Sequence, residues 1–398
     1  MTSTALRPFE SPDMLRFREA LRTWFAEHVP AGWGTSTYVP PTDEPAEIAI
    51  LRTWQRTLFD GGWAGLSWPR KYGGAGRSLL EQAIFVEERD RIKAPLDVGI
   101  VGTQMVGPML IQHGSDHQKE RYLRRILTGD DLWCQGFSEP VAGSDLAGLR
   151  TRATFINGRW HLSGQKVWTS RAQYADQMIL LARNDPDAPT HHGITSFIVP
   201  MSAAGLTIRP LRQINGATEF CEVFLDDVTL GPEMIVGEVG AGWRIALSTL
   251  SFERFATTRA FEMRHLAADL VTAVDAAGLD DTEVLDALTK HVIEAHAACV
   301  GYQRMVAGIA ARGQVGVEAS VGKLVTTELG QRIVGTAMIA LPVAVTLAPV
   351  EPWYGGPPSW PLEYVNGLKN TIAAGTSQIQ RNIIGERVLG LPREGGKA

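Results

Sequence analysis

The chain has 398 residues, 44% hydrophobic and 20% charged, enough apolar material for two or three domains, which excludes a largely disordered chain. Thirty-eight basic and 43 acidic residues leave a net charge of −5, so no basic excess points to nucleic acid or an anionic membrane. Cys134, Cys221 and Cys299 lie far apart, which argues against a disulfide framework or a zinc motif and fits a reducing cytoplasm. Met1 to Pro12 is polar, with no apolar signal core, and no apolar run approaches the roughly 18 residues of a membrane span.

From Asp13 to about Leu127 the pattern is helical. Met14, Phe17, Leu21, Trp24 and Phe25 recur at three- and four-residue steps and make one apolar face. Leu79, Ala83 and Val86 define a second helix, with Glu87 and Glu88 on its flank, and Gly61–Gly76 reads as a Gly/Trp/Pro-rich connection. From about Gly129 to Val236 the period changes. Asn157-Gly158 between Arg152–Ile156 and Arg159–Ser163 is a hairpin signal, because both turn positions tolerate positive φ. Met178–Ala182, Ser196–Val199, Leu206–Arg209 and Phe220–Val228 are further strands, and Asn184–His192 is a solvated hairpin tip. These short strands predict a small barrel or sandwich. From Gly240 helices return, over Ala260–Ala277, Asp281–Ala310 and Ile379–Leu389, with Val321, Leu324, Val325, Leu329 and Ile333 on one further face. Pro342–Pro361, with six prolines, reads as a loop that shapes a pocket or a subunit contact, or as a plain insertion. The expectation is an α+β multidomain chain: a helical domain over 1–128, a β-barrel or sandwich domain over 129–236 and a helical domain over 237–398, with a ligand cleft at the junction.

Three segments carry candidate chemistry. Gln135–Asp145 (QGFSEPVAGSD) bends at Gly and Pro and presents hydroxyls that can hold a ring edge or a phosphate; a structural turn is the alternative. Gly164–Ser170 (GQKVWTS) offers one aromatic plane beside hydroxyls, or a strand with a core Trp. Ala373–Asn382 (AAGTSQIQRN) places Gly-Thr-Ser before an apolar helix, a capping signal whose free N–H groups suit an anion.

In this order and spacing the three segments resemble the acyl-CoA dehydrogenase family. Trp68-Pro69, Tyr72-Gly73-Gly74, Glu87-Glu88 and the ending Arg387–Arg393 (RVLGLPR) extend the likeness over roughly residues 13 to 393. The resemblance implies an N-terminal α domain, a middle β domain and a C-terminal four-helix bundle, with FAD as cofactor. It implies that Phe137 and Ser138 contact the flavin ring, that Ser144 lies near the cofactor phosphates and the CoA, that Trp168 packs on the isoalloxazine and that Ser170 binds the flavin edge. Gly375, Thr376 and Gln378 match the turn and helix start that meet flavin and adenine portions, and Arg254 matches an Arg beside the catalytic pocket that also serves substrate binding. The implied reaction is α,β-dehydrogenation of an acyl thioester: a carboxylate takes the Cα proton while hydride passes from Cβ to flavin N5. The implied partners are acyl-CoA or an acyl carrier protein thioester and an electron-transfer flavoprotein or similar acceptor, with assembly as a homo- or hetero-oligomer and no nucleic acid, membrane or metal.

Two departures matter. Where many members carry Glu before Gly-Thr this chain has Ala374, leaving only a backbone N–H for the thioester oxygen; Glu253, directly before Arg254, matches a subgroup whose catalytic Glu stands on a helix, while an exposed Glu-Arg pair is the alternative. The Arg/Phe-Gly and Gly-Gly features that complete the FAD site across subunits are missing after Arg259. A dissimilar partner chain is therefore one expectation. A flavin oxidase or monooxygenase on the same fold and a non-catalytic subunit are the competing readings.

Overall fold

The computed structural model describes residues 10–392 apart from 34, 36, 37, 39, 40, 42, 257, 313–315 and 343–357, and of 254–256 the backbone alone. Helices α1 (Pro12–His28), α2 (Glu44–Asp60), α3 (Leu79–Arg91), α4 (Gly107–His113) and α5 (Asp116–Thr128) come first, with a π-helical turn at Gly102–Val106 leading into α4. Ser11 opens α1 by accepting the Met14 N–H, and Ser78 and Ser115 open α3 and α5 with reciprocal capping boxes. Phe17, Leu21 and Phe25 meet Trp54, Leu58, Ile84 and Phe85 in one core, each large side chain contributing about 1.5–3 kcal/mol by its burial.

Glu87 and Glu88 do not lie on the flank of α3: they are buried. Arg18 donates to Glu88 at 2.5 Å and to Glu87 at 2.9 Å, and Arg22 and Arg91 donate to Glu88 at 2.8 and 2.6 Å. Charge alone had set them outside; pairing to arginines across the helices is what lets carboxylates go in.

The strands β1 (Trp133–Gly136), β2 (Arg152–Ile156), β3 (Arg159–Ser170), β4 (Gln177–Arg183), β5 (Ile194–Pro200), β6 (Leu206–Leu211), β7 (Phe220–Leu230) and β8 (Ile235–Val236) form a mixed sheet in the order β6-β7-β3-β2-β4-β5-β8, with β1 parallel to β4. Asn157 and Gly158 turn the β2–β3 hairpin at φ 50° and 80°. Strand β4 is buried on both faces: Met178, Leu180 and Ala182 join Leu162, Val223 and Phe197 inside the β domain, while Ile179 and Leu181 join Val106, Leu110 and Ile245 from the helices. The alternation of one strand thus welds the β domain to the helical layer.

Helices α6 (Gly242–Ala256), α7 (Ala260–Ala276), α8 (Thr282–Arg312), α9 (Glu318–Ala340), α10 (Trp360–Asn370) and α11 (Ser377–Arg387) follow. Met263, Leu270, Leu288, Leu329, Ile333 and Trp360 form the core of this helical bundle. The face expected for α9 holds at Leu329 and Ile333 but not at its start. Val321 and Val325 are each 39% exposed, while Ser320, Lys323, Thr326 and Thr327 are buried. That end of α9 packs on the turn before α11, where backbone carbonyls need donors. Of Pro342–Pro361, residues 343–357 lie outside the described residues, and Trp360-Pro361 begin α10. Among the described residues no helix is long and apolar enough to cross a membrane.

Candidate active site

The first two sequence segments meet through one buried ion pair. Lys166 is fully buried and donates to Glu139 at 2.7 Å and to the Phe137 carbonyl at 3.2 Å. Glu139 also accepts the backbone N–H groups of Arg150 (2.7 Å) and Thr151 (2.9 Å). Burial alone would raise Glu139, but Lys166 and these donors hold it below the usual carboxylate range; burial pulls Lys166 down to about 8 against the opposing pull of Glu139. The Val167 N–H donates to the Ser138 carbonyl at 2.9 Å, so Phe137-Ser138 runs alongside Val167-Trp168. Phe137 is buried, Ser138 and Ser170 are half-buried and Ser144 is exposed.

Trp168 is not a core residue. It is 60% exposed, sits at φ 59° where β3 shifts register against β7, and meets Phe220 edge-on at 6.0 Å. A bulky side chain in left-handed backbone is a genuine outlier, and such strain persists only where the surroundings enforce it. The Thr169 hydroxyl beside it is buried without a hydrogen-bond partner.

The C-terminal bundle reaches this face through α10. Lys369 pairs with Glu219 at 2.6 Å and lies over the Phe220 ring, and Asn215 donates to Asn366 at 2.7 Å. From α10 the chain passes directly into the Ala374-Gly375-Thr376 turn. Ala374 has φ 54° and Gly375 φ 88°, and a Cβ on Gly375 would stand 2.6 Å from the Gln380 amide nitrogen. Gln380 donates to the Ala374 carbonyl at 3.0 Å and Lys323 to the Gly375 carbonyl at 2.7 Å. Thr376 caps α11 by accepting the Ile379 N–H; Gln378 is exposed, and the Ser377 hydroxyl is buried without a partner.

Glu253 stands near the end of α6. This helix packs on α4 and the π-helical turn, with Ile245 and Ala246 in their shared core and Ser248 donating to Gln112 at 2.8 Å. Glu253 is half-buried, with one carboxylate oxygen closed to solvent. Helix α9, which carries Lys323, packs on both α6 and α11 and so brings the helix of Glu253 and the Ala374 turn into one neighbourhood. The Arg254 side chain lies outside the described residues. Glu139, Lys166, Lys323 and Gln380 escape the sequence reading. The available signal was a Lys inside an otherwise apolar strand or helix, where only a paired ammonium belongs.

Ala374 yields a test of backbone strain. The left-handed conformation costs an L-residue about 1–2 kcal/mol, and glycine gives back about 0.5–1 kcal/mol of chain entropy. Ala374→Gly is thus expected to raise the unfolding free energy by up to about 1 kcal/mol in urea titrations at unchanged m value; a destabilised variant would refute the strain.

Domain by domain, the chain matches the acyl-CoA dehydrogenase N-terminal domain over residues 11–130, the middle domain over 134–228 and the C-terminal domain over 240–389. Acyl-CoA dehydrogenase IpdE1 of Mycobacterium tuberculosis is 35% identical over 398 residues, 96% of this chain and 99% of that protein. Among solved structures, one described as the Tcur3481-Tcur3483 steroid ACAD is 29% identical with a TM-score of 0.83, over 97% of this chain and 99% of that one. The ChsE4-ChsE5 complex from Mycobacterium tuberculosis is 30% identical with a TM-score of 0.82, over 98% of this chain and all of that one. The chain belongs to the acyl-CoA dehydrogenase family. It is, with that family, an oxidoreductase acting on acyl-CoA.

Proposed function

We propose that the chain binds FAD between Trp168 and the Ala374 turn and dehydrogenates a bulky acyl-CoA at Cα and Cβ, with Glu253 as the base. The observation that carries this reading is that α9 packs on both α6, which bears Glu253, and α11, whose preceding Ala374–Thr376 turn it holds through Lys323, beside a domain junction from which Trp168 projects. The residues fit a flavin. An indole plane is solvent-exposed on strained backbone, and the Thr169 and Ser377 hydroxyls are buried without protein partners. Phe137, Ser138, Ser144 and Ser170 would hold the ring and phosphate side, and Gly375, Thr376 and Gln378 the opposite side.

When bound, FAD supplies the oxidant for the two electrons and hydrogen leaving Cβ. The protein does the rest. The Ala374 N–H, at the head of the turn whose next two carbonyls Gln380 and Lys323 hold, is the donor for the thioester oxygen as negative charge develops there. The Glu253 carboxylate receives the Cα proton. Arg254 lines the substrate side. The methyl of Ala374, where a carboxylate would otherwise project, leaves room for a bulky acyl group, and the steroid ACAD among the similar structures supports that class.

One similar structure is described as the ChsE4-ChsE5 complex, and another carries the paired name Tcur3481-Tcur3483. They favour a heteromer here too, in which a second dehydrogenase-like chain completes the FAD site, with an electron-transfer flavoprotein as acceptor. The test is anaerobic titration of the chain, alone and with candidate partner chains, using straight-chain, branched and polycyclic acyl-CoAs while flavin bleaching is followed. Bleaching by a polycyclic thioester bears the reading out. No bleaching in any combination rejects it, and bleaching that depends only on a partner's own glutamate makes this chain the supporting subunit.

Trp168 gives a second expected result. Aromatic stacking contributes about 0.5–1.5 kcal/mol beyond burial, so Trp168→Ala should raise the FAD dissociation constant about 2- to 12-fold in reconstitution titrations. An unchanged constant would place the flavin elsewhere.

A further inference from the structure

We infer that Lys166 is a positioning residue for the flavin: its ammonium holds the Phe137 carbonyl and so turns the other end of that peptide group, the Ser138 N–H, outward as a fixed donor for the isoalloxazine ring. The inference rests on the reading that FAD binds beside Trp168, and it assigns to that site a residue set behind it.

Three observations carry it. The first is the peptide group itself. Lys166 Nζ donates to the Phe137 carbonyl at 3.2 Å, and no described peptide bond is cis. The Ser138 N–H belongs to the same planar trans group, so it points away from the ammonium. The second is that the ammonium is itself fixed. It is fully buried, and Glu139 accepts from it at 2.7 Å while accepting the Arg150 and Thr151 N–H groups at 2.7 and 2.9 Å. Two backbone donors thus hold the carboxylate, and the carboxylate holds the lysine. The third is what is left over. The next peptide group is held at both ends: the Ser138 carbonyl accepts the Val167 N–H at 2.9 Å, and the Glu139 N–H donates to the Ala142 carbonyl at 3.0 Å. Among the described residues nothing accepts the Ser138 N–H. Ser138 is half-buried, and its contact with Val167 sets it beside the exposed indole of Trp168.

The chemistry that suits such a donor is a ring with acceptors along one edge. The carbonyl oxygens and unsubstituted ring nitrogens of an isoalloxazine lie on its pyrimidine side, and they gain electron density on reduction. A fixed donor there binds the reduced ring more tightly than the oxidised one and raises the midpoint potential. Replacing the Ser138 side chain leaves its N–H in place, so Lys166 is the residue through which the aim of this donor can be changed.

The test uses the FAD-loaded protein, with its partner chain where one is needed. The midpoint potential of the bound flavin is measured by anaerobic reduction against a reference dye, with urea stability alongside. Lys166→Met/Glu139→Gln removes the hold on Phe137 and leaves no buried charge. Its equilibrium is expected to shift about tenfold toward oxidised flavin, the loss of one hydrogen bond to a charged group, which is about 30 mV lower for a two-electron couple. A wild-type potential in the loaded double variant overturns the inference, because a purely structural ion pair changes stability alone. Ser78→Ala breaks the α3 capping box, lowers stability and should keep the wild-type potential; an equal fall there overturns the inference too. A wild type that takes up no FAD in any combination overturns the reading and the inference with it, whereas FAD bound with an unmoved potential in the double variant overturns the inference alone. Where the double variant loads no flavin, the wild type decides. In nitrogen NMR of labelled serine the Ser138 amide, assigned by its loss in Ser138→Ala, should move downfield on addition of FAD, and an unmoved resonance overturns the donor.

Discussion

Glu253→Gln is expected to fold, hold FAD and bind acyl-CoA, yet reduce flavin about 10²–10⁴-fold more slowly, the usual consequence of removing a general base. The substitution keeps size and hydrogen-bonding capacity and removes only the capacity to accept the α proton. The expectation follows from where α6 runs. Its inner face is pinned to α4 and the π-helical turn by Ile245, Ala246 and the Ser248–Gln112 hydrogen bond, so Glu253 is delivered from a rigid element rather than a loop. Position 374, at the head of the third segment, carries a methyl group and cannot take over the proton. Single-turnover stopped flow under anaerobic conditions separates the chemical step from product release. A wild-type rate would show that another group removes the proton. A slow rate accompanied by loss of acyl-CoA binding would show that Glu253 holds substrate rather than reacting with it.

The strands and most helices were legible because their signals are local. Asn157-Gly158 allows only a tight hairpin, and the period-two run from Arg152 to Ser163 could pair in only one way around it. The site residues were legible in a different sense: Trp168 and Ala374 came from a resemblance, and nothing in periodicity marks either for left-handed backbone. What remained hidden is polar burial. Glu87, Glu88, Glu139, Lys166 and Lys323 each look like surface residues, because a charge is read as exposed unless its partner is known. The partners of the last three are 11 to 52 residues away in sequence, and several of them are backbone groups. On α9 the error went both ways: Val321 and Val325 looked like core, and their exposure accompanies the burial of Lys323 on the other face.

Lys166→Met is expected to cost about 3–5 kcal/mol of unfolding free energy, the range for removing one partner of a buried ion pair. The reason is the charge left behind. Glu139 is only 6% exposed, and without Lys166 it keeps the backbone donors of Arg150 and Thr151 but loses its cation. The pH dependence has a definite sign. Glu139 lies below the ordinary carboxylate value in the folded chain, so its stabilising contribution is complete above about pH 4.3 and is lost as pH falls through the lower native value. In Lys166→Met that depression shrinks, and the acid side of the stability curve should begin to fall at higher pH. The functional consequence is local. Lys166 also holds the Phe137 carbonyl, and Val167 binds the Ser138 carbonyl, so loosening the pair frees both the Phe137-Ser138 run and the strained Trp168 from each other. Flavin retention should therefore fall together with stability. The double variant Lys166→Met/Glu139→Gln separates charge from packing: with no buried charge left over, it should recover much of the lost free energy. Urea unfolding of the wild type and both variants, with bound flavin measured alongside, is the experiment. A single variant that loses less than about 1 kcal/mol, or a double variant no better than the single, would mean that burial of charge is not what joins these two segments.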